Sequence, residues 1–326
     1  MKPRTLPLLL VAAALLRARP AAAYRWDEHY YTVRLAFGPR AGGEVASLCA
    51  QLADEAPELS AIAVYRRLMT HPLDYLQWAL LGTGPDETVG RMVTIQQLQH
   101  GLTGGSPEAV REIARATATT LAAAARGEKD PLLRANARCA LGFALHLYGD
   151  SFAHARIRNP ARMYGTGLGH FFDATRPDQP LSSAARLALW RDYLATVPAL
   201  ISAGTAGAFG PVFAAAAESQ PRARAANGFS REALMHAETS ALEEDGIQAA
   251  LIPHNVSDKP CQAIVDAAAK GLPAAPTCEG AWALYRGAVV AAFDAYDADP
   301  AHAGEPSRAV RLPFFMGSPF SKGADW

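Results

Sequence analysis

The stretch HLYGDSFAH places His146, Asp150 and His154 four residues apart, near the end of an apolar, Ala-rich run. On an α-helix a four-residue step turns the side chain by about 40° and advances it by about 6 Å, so the three groups stand in one row on one face. Imidazole and carboxylate are zinc ligands. An i, i+4 pair chelates one ion from a rigid helix. The full row covers about 12 Å, too far for one ion and suited to two ions about 3.5–4 Å apart. A carboxylate in the middle is the group that can bridge, because it has two oxygens, and imidazoles at the ends suit zinc. The plainer alternative is a polar helix face with two hydrogen-bonded histidines. The apolar flank FALHLY argues for burial of His146, and a buried imidazole or carboxylate needs partners.

Other polar groups carry less. His236 and Glu238 in LMHAETSALEEDG read as a half-exposed helix face, and Glu243, Glu244 and Asp245 as its solvated end. His254 in IPHNVSD reads as a loop residue. Asn255-Val256-Ser257 matches the glycosylation sequon, which is common by chance. No G-x-S-x-G elbow, P-loop or dinucleotide fingerprint occurs, which argues against a serine hydrolase and a nucleotide-binding fold.

The elements that must position these residues read as helices. WDEHYYTVRLAF has apolar and aromatic residues at helical spacing and ends at Gly38-Pro39. A helix over Gly43 to Glu55 stops before Pro57. Residues 58 to 105 are mixed, with turn signals at His71-Pro72 and Gly82 to Pro85, and MVTIQQLQHGLTGG runs into a loop. Pro107 opens a helix ending at Gly127. Asp130-Pro131 is an N-cap and first-turn pair for LLRANARCALGFALHLYGDSFAHARI. Gly142 and Gly149 weaken that helix but permit close approach of a neighbour. NPARMYGTGLGHFFDATRPDQP is irregular. Helical patterns return over 182–203, 208–219, 229–250, 260–270 and 279–298. No strand pattern or internal repeat is visible. The reading is an all-α, single-domain helical bundle with its site between helices.

Of 326 residues, 31 are basic, 31 acidic and half hydrophobic. That is ample for one large core, and the neutral balance gives no electrostatic case for duplex nucleic acid or an anionic membrane. Lys2, Arg4, the run TLPLLLVAAALL and Ala21 to Ala23 read as a secretory signal over 1–23, with the mature chain beginning near Tyr24. The helical domain then covers 24–300, and 301–326 is an irregular Pro- and Gly-rich tail. The apolar run is too short for a comfortable membrane span. The expected location is secreted or periplasmic, and the cysteine number of four fits an oxidising compartment. Cys261 and Cys278 are the first choice for a disulfide, leaving Cys49 and Cys139 as a second pair or as buried thiols.

HLYGDSFAH followed by GLGHFFDATRPDQP resembles the core of the zinc-dependent phospholipase C and single-strand nuclease superfamily, most closely a secreted bacterial branch. The resemblance spans about residues 26 to 180, weakly between 58 and 95. It implies a helical bundle with two or three zinc ions and a phosphoester substrate: a small molecule or lipid, with nucleic acid only as substrate. His146 and Asp150 match the family's His-x-x-x-Asp pair, His154 the next His and His170 the later one. His29 resembles the ligand of the first helix and Asp54 that of the second. His100 would supply the intervening His, with His71 as its rival. The family's aspartate at the Asp54 position orients or deprotonates the attacking water, so Asp54 is the expected catalytic residue. The phospholipases place a Glu where this chain has Ala174, leaving Asp173 and Asp178 as the late acidic ligand. They also use an N-terminal Trp, where this chain has Tyr24, with Trp26 two residues on. The resulting expectation is an exported zinc-dependent phosphoester hydrolase. The alternatives are a non-catalytic metal-binding protein and a helical envelope interaction protein.

Overall fold

The computed structural model describes residues 26–38, 42–60, 87–166, 169, 173, 176–177, 180, 182–201, 260–268, 274–309, 314 and 319–320, and the architecture is that of these residues. It is all-α. The helices are α1 (Trp26–Phe37), α2 (Gly43–Glu55), α3 (Glu87–Thr94), α4 (Pro107–Gly127), α5 (Pro131–Ala153), α6 (Ala184–Leu200), α7 (Cys261–Ala268) and α8 (Cys278–Ala298). Among the described residues, β-type pairing is confined to isolated bridges, Gly104 with Arg308 and Ala155 with Met163. No described helix is long and apolar enough to cross a membrane. The signal segment 1–23 and the helices expected over 208–219 and 229–250, with His236, Glu238 and His254, lie outside the described residues.

Local chemistry starts several helices. The side chain of Ser106 accepts from the amide of Ala109 ahead of Pro107, Asp130 from Leu133 ahead of Pro131, Ser183 from Arg186 and Thr277 from Gly280. Each satisfies one of the amides a helix start leaves unpaired. Gly38, at φ 58°, ends α1 in the left-handed region, and its amide donates to the Arg34 and Leu35 carbonyls.

α5 is the central post. It packs against α1, α2, α4, α6, α8 and the turn Ile95–Gln99. Cys139 to Ala153 are all buried. Gly142 sits where α2 crosses: a Cβ there would stand 2.2 Å from the Ala46 carbonyl oxygen and 2.9 Å from Cys49 Cβ. The Cys49–Cys139 disulfide fastens the same crossing, and Cys261–Cys278 joins α7 to α8. Both cysteine pairs are therefore disulfides. Aromatic rings fill the flanks of α5, with Phe143 against Trp282 and Tyr285 on one side and Tyr148 and Phe152 against Tyr193 on another.

α5 ends earlier than its sequence pattern suggests. The apolar spacing through Ile157 predicts a continuing helix, but the helix stops at Ala153 and His154 is its cap, at φ −90° and ψ 11°. The cause is distant in sequence. The buried Arg186 guanidinium, from α6, donates to the Phe152, Ala153 and Ala155 carbonyls, occupying acceptors that further helical turns would use.

Candidate metal centre

Four separate segments deliver imidazoles and carboxylates to one buried point. α1 brings His29, α2 Asp54, and α5 His146 and Asp150. His100 follows Ile95–Gln99, a stretch of π-helix in which the His100 amide donates to the Ile95 carbonyl. Such turns re-aim side chains that a regular helix would misplace. Tyr285 Oη from α8 donates to the Leu98 carbonyl, and Gln99 Nε2 donates to the Phe143 carbonyl at 3.4 Å. His29, His100, His146 and Asp150 have no exposed surface, and Asp54 is 9% exposed.

The tautomers follow from carbonyls, which only accept. His146 Nδ1 donates to the Ala50 carbonyl at 2.8 Å, His100 Nε2 to Leu59 at 3.0 Å and His154 Nδ1 to His100 at 2.6 Å. A neutral imidazole has one proton, so His146 Nε2 and His100 Nδ1 are left as lone pairs. They face each other at 3.3 Å. Each also stands 3.1 Å from Asp150 Oδ2, itself an acceptor. Acceptors in such contact repel unless a cation lies among them. A proton is one such cation. Burial alone would lower the His100 pKa, but its hydrogen bond to Asp150 and the charges of Asp150 and Asp54 raise it.

The donor set also fits a metal ion. A tetrahedral zinc with bonds of about 2.0–2.1 Å sets its ligand atoms about 3.3–3.4 Å apart. His146 Nε2, His100 Nδ1 and Asp150 Oδ2 are separated by 3.1–3.3 Å. Asp54 Oδ1 lies 3.8 Å from His146 Nε2 and 3.9 Å from His100 Nδ1. Asp54 Oδ2 is buried with no hydrogen-bond partner. A second set shares the carboxylate: His29 Nε2 is 3.3 Å from Asp150 Oδ1, and His29, His146 and Asp150 could hold an ion together. His146 has one lone-pair nitrogen to give, so Asp150 is the group able to serve both sets, through separate oxygens. Buried His and Asp clusters that could hold a metal ion are thus present, on residues 121 positions apart at the extremes, His29 and Asp150.

Electrostatics separate the two carboxylates. Asp54 is held well above the usual carboxylate range, first by burial and then by the neighbouring Asp150 charge. Burial would raise Asp150 as well, but His154, His146 and the hydrogen bonds from His100 and His146 hold it well below. The His29 pKa falls to about 4, through burial and then the neighbouring His146. The His29 ring lies 4.0 Å from that of His146 and rests on Gly149, where a Cβ would come within 2.8 Å of His29 Cε1.

The structure brings together His29, Asp54, His100, His146 and Asp150. His154 stands at the edge, with Nδ1 committed to His100 and 3.7 Å from Asp150 Oδ2. Asp173 accepts from Tyr164 Oη at 2.7 Å. His71, His170 and Asp178 lie outside the described residues, as does Ala174. Sequence reasoning missed the π-turn, the Arg186 cap and the Tyr285 brace, none of which has a local signal. Comparison with protein-family models, curated proteins and solved structures returned no match.

Proposed function

We propose that this chain is an exported zinc-dependent phosphoester hydrolase holding two or three zinc ions. The observation that carries the reading is the proton shortage at the centre: His146 and His100 spend their protons on backbone carbonyls and turn their lone pairs toward each other and Asp150. His146, His100, Asp54 and Asp150 would hold one ion, and His29 with the other Asp150 oxygen a second. A third would fall to His154 with His170 and Asp173 or Asp178. Zinc supplies Lewis acidity toward phosphoryl oxygens and lowers the pKa of water to about 7. Asp54 would orient the attacking water and accept its proton at Oδ2, an oxygen that is buried with no hydrogen-bond partner. The carbonyls of Ala50 and Leu59 fix the His146 and His100 rings, which keeps the donor set in place through turnover. Export is supported by the two disulfides.

The experiment is elemental analysis of protein purified without a metal-affinity tag, together with hydrolysis of a generic phosphodiester. More than one zinc equivalent and turnover lost to chelator and restored by zinc are expected. A second reading, a structural metal site without catalysis, is favoured by the complete burial of His29, His100, His146 and Asp150. Full zinc occupancy with no turnover on several ester classes would select it. Protein with no tightly held metal would end both.

A further inference from the structure

Directly after His154 the chain leaves the bundle as a braced loop. The Arg156 amide donates to the Arg162 carbonyl at 2.8 Å, the Arg162 amide to Asn159 at 3.0 Å and the Tyr164 amide to His154 at 2.9 Å. Arg156 Nε donates to Met163 at 2.9 Å, and the Ile157 amide to Tyr164 Oη at 3.2 Å. Every residue from Arg156 to Arg162 is exposed. The tip therefore has a fixed shape although its side chains contact solvent.

Its composition departs from that of the whole chain. Basic and acidic residues balance overall, yet between Asp150 and Asp173 there is no acid, and Arg156, Arg158 and Arg162 all fall in this loop. Arg158 and Arg162 form no ion pair among the described residues. Between Arg156 and Arg158 stands Ile157, 38% exposed and among the large hydrophobic side chains that reach solvent. The acid at the loop's base, Asp173, accepts from Tyr164.

We propose that the loop 156–162 docks the protein on an anionic phospholipid surface, with Ile157 entering the interface and Arg158 and Arg162 binding headgroup phosphates. This rests on the phosphoester reading of the centre and gives it a substrate class, the phospholipid rather than the nucleic acid. An aliphatic side chain flanked by arginines matches an interface that is apolar below and anionic above. A single-stranded nucleic acid would call for exposed aromatic rings on which bases stack. Among the described residues of this segment the aromatic ring is that of Tyr164, at the base of the loop, and it is buried with its hydroxyl engaged. The position suits delivery: Arg158 lies four residues past His154, and Asp150 one turn before it, so headgroups at the loop come within about 20 Å of the centre.

The test is co-sedimentation of the full chain with vesicles of phosphatidylcholine alone and with about one third phosphatidylglycerol, at low and at about 0.15 M salt. Preference for the anionic vesicles, weakened by salt, is expected. Arg158→Gln and Arg162→Gln should each lower that binding roughly fivefold, and Ile157→Ser roughly tenfold, with unchanged thermal midpoint and zinc content because these side chains are exposed. The proposal is overturned by equal binding to both vesicles, by arginine variants that bind as the parent does, or by an arginine-dependent preference for a single-stranded oligonucleotide. The parent's zinc content and hydrolysis of a water-soluble diester, measured on the same preparation, separate the two readings. Zinc and turnover without vesicle binding remove the docking loop alone, and vesicle binding without zinc removes the hydrolase.

Discussion

Among the described residues histidine and aspartate gather at two places, and one of the two is short of protons. At the end of α8, Tyr296, Asp297, Asp299, His302 and Glu305 help line a cavity of about 450 Å³. There His302 stacks on Tyr296 at 3.8 Å and its Nδ1 donates to the Tyr296 carbonyl. Asp297 accepts from Ser307 Oγ at 2.6 Å and pairs with Arg308 at 3.6 Å, and Asp299 accepts from the Ala301 amide. His302 Nε2 is 3.6 Å from Glu112, whose side chain is half in solvent, where water can satisfy it. In the centre around Asp150 the same residue types are sealed from water and face one another with lone pairs. A cluster of ligand-type residues thus means little by itself. What separates a site from a decorated corner is whether the buried polar groups balance without a further cation.

The sharpest way to break the comparison is Asp150→Asn. It preserves shape and removes the charge between His29, His100 and His146. Because this carboxylate faces both donor sets, more than one metal equivalent should be lost on elemental analysis. Retention of all metal with an unchanged thermal midpoint would make the row decorative, no different from the α8 corner.

The next effect is a pH dependence in the metal-free protein. The His29 pKa drops from 6.5 to about 4 on folding. Between those values the unfolded chain binds a proton that the folded chain refuses, so stability rises with pH across that window. Its contribution is complete above about 6.5 and is lost as pH falls toward 4, by roughly 3 kcal/mol. Asp54, raised on folding, opposes this slope, so the measurement is the difference between parent and His29→Gln in denaturant titrations with chelator. Parallel pH profiles for the two proteins would show that His29 is not buried as described.

Gly149→Ala tests how closely the centre is packed. The added methyl would meet His29 Cε1 at 2.8 Å and Tyr193 Cζ at 3.1 Å. Overpacking of this kind costs about 1–3 kcal/mol, and here it also displaces an imidazole. The expected outcome is a lower melting temperature and weaker occupancy of the His29 set, with the His100–His146 set retained. The propensity gain of Ala over Gly, about 1 kcal/mol in an exposed helix, sets the opposite expectation. A more stable protein with full metal content would mean that His29 has room.

How much of this was readable beforehand follows the range of the forces involved. The helices expected over roughly Gly43 to Glu55 and from Pro107 to Gly127 form there, because Gly, Pro and Ser act on the backbone beside them. The His146–Asp150 pair was readable because helical spacing is itself local. Both close-approach glycines met their neighbours, at α2 and at His29. The end of α5 was misread because Arg186, in another helix, takes its carbonyls. The π-turn before His100 was invisible because it is braced from α8 and α5, by Tyr285 and by the Phe143 carbonyl. Residues chose their elements nearby, but the aim of the ligands was settled across the bundle.

The smallest effect belongs to the corner at the end of α8. His302→Gln removes the stack on Tyr296 and the contact with Glu112, and keeps a polar side chain that solvent can satisfy. An aromatic pair of this kind contributes about 0.5–1.5 kcal/mol, which for a chain of this size is a shift of roughly 1–2 °C in melting temperature. Zinc content should not change at all. If metal were lost from this variant, while the imidazoles of His29, His100 and His146 stood intact, then the balance of protons would be the wrong criterion, and the corner would be a site despite having its polar groups paired.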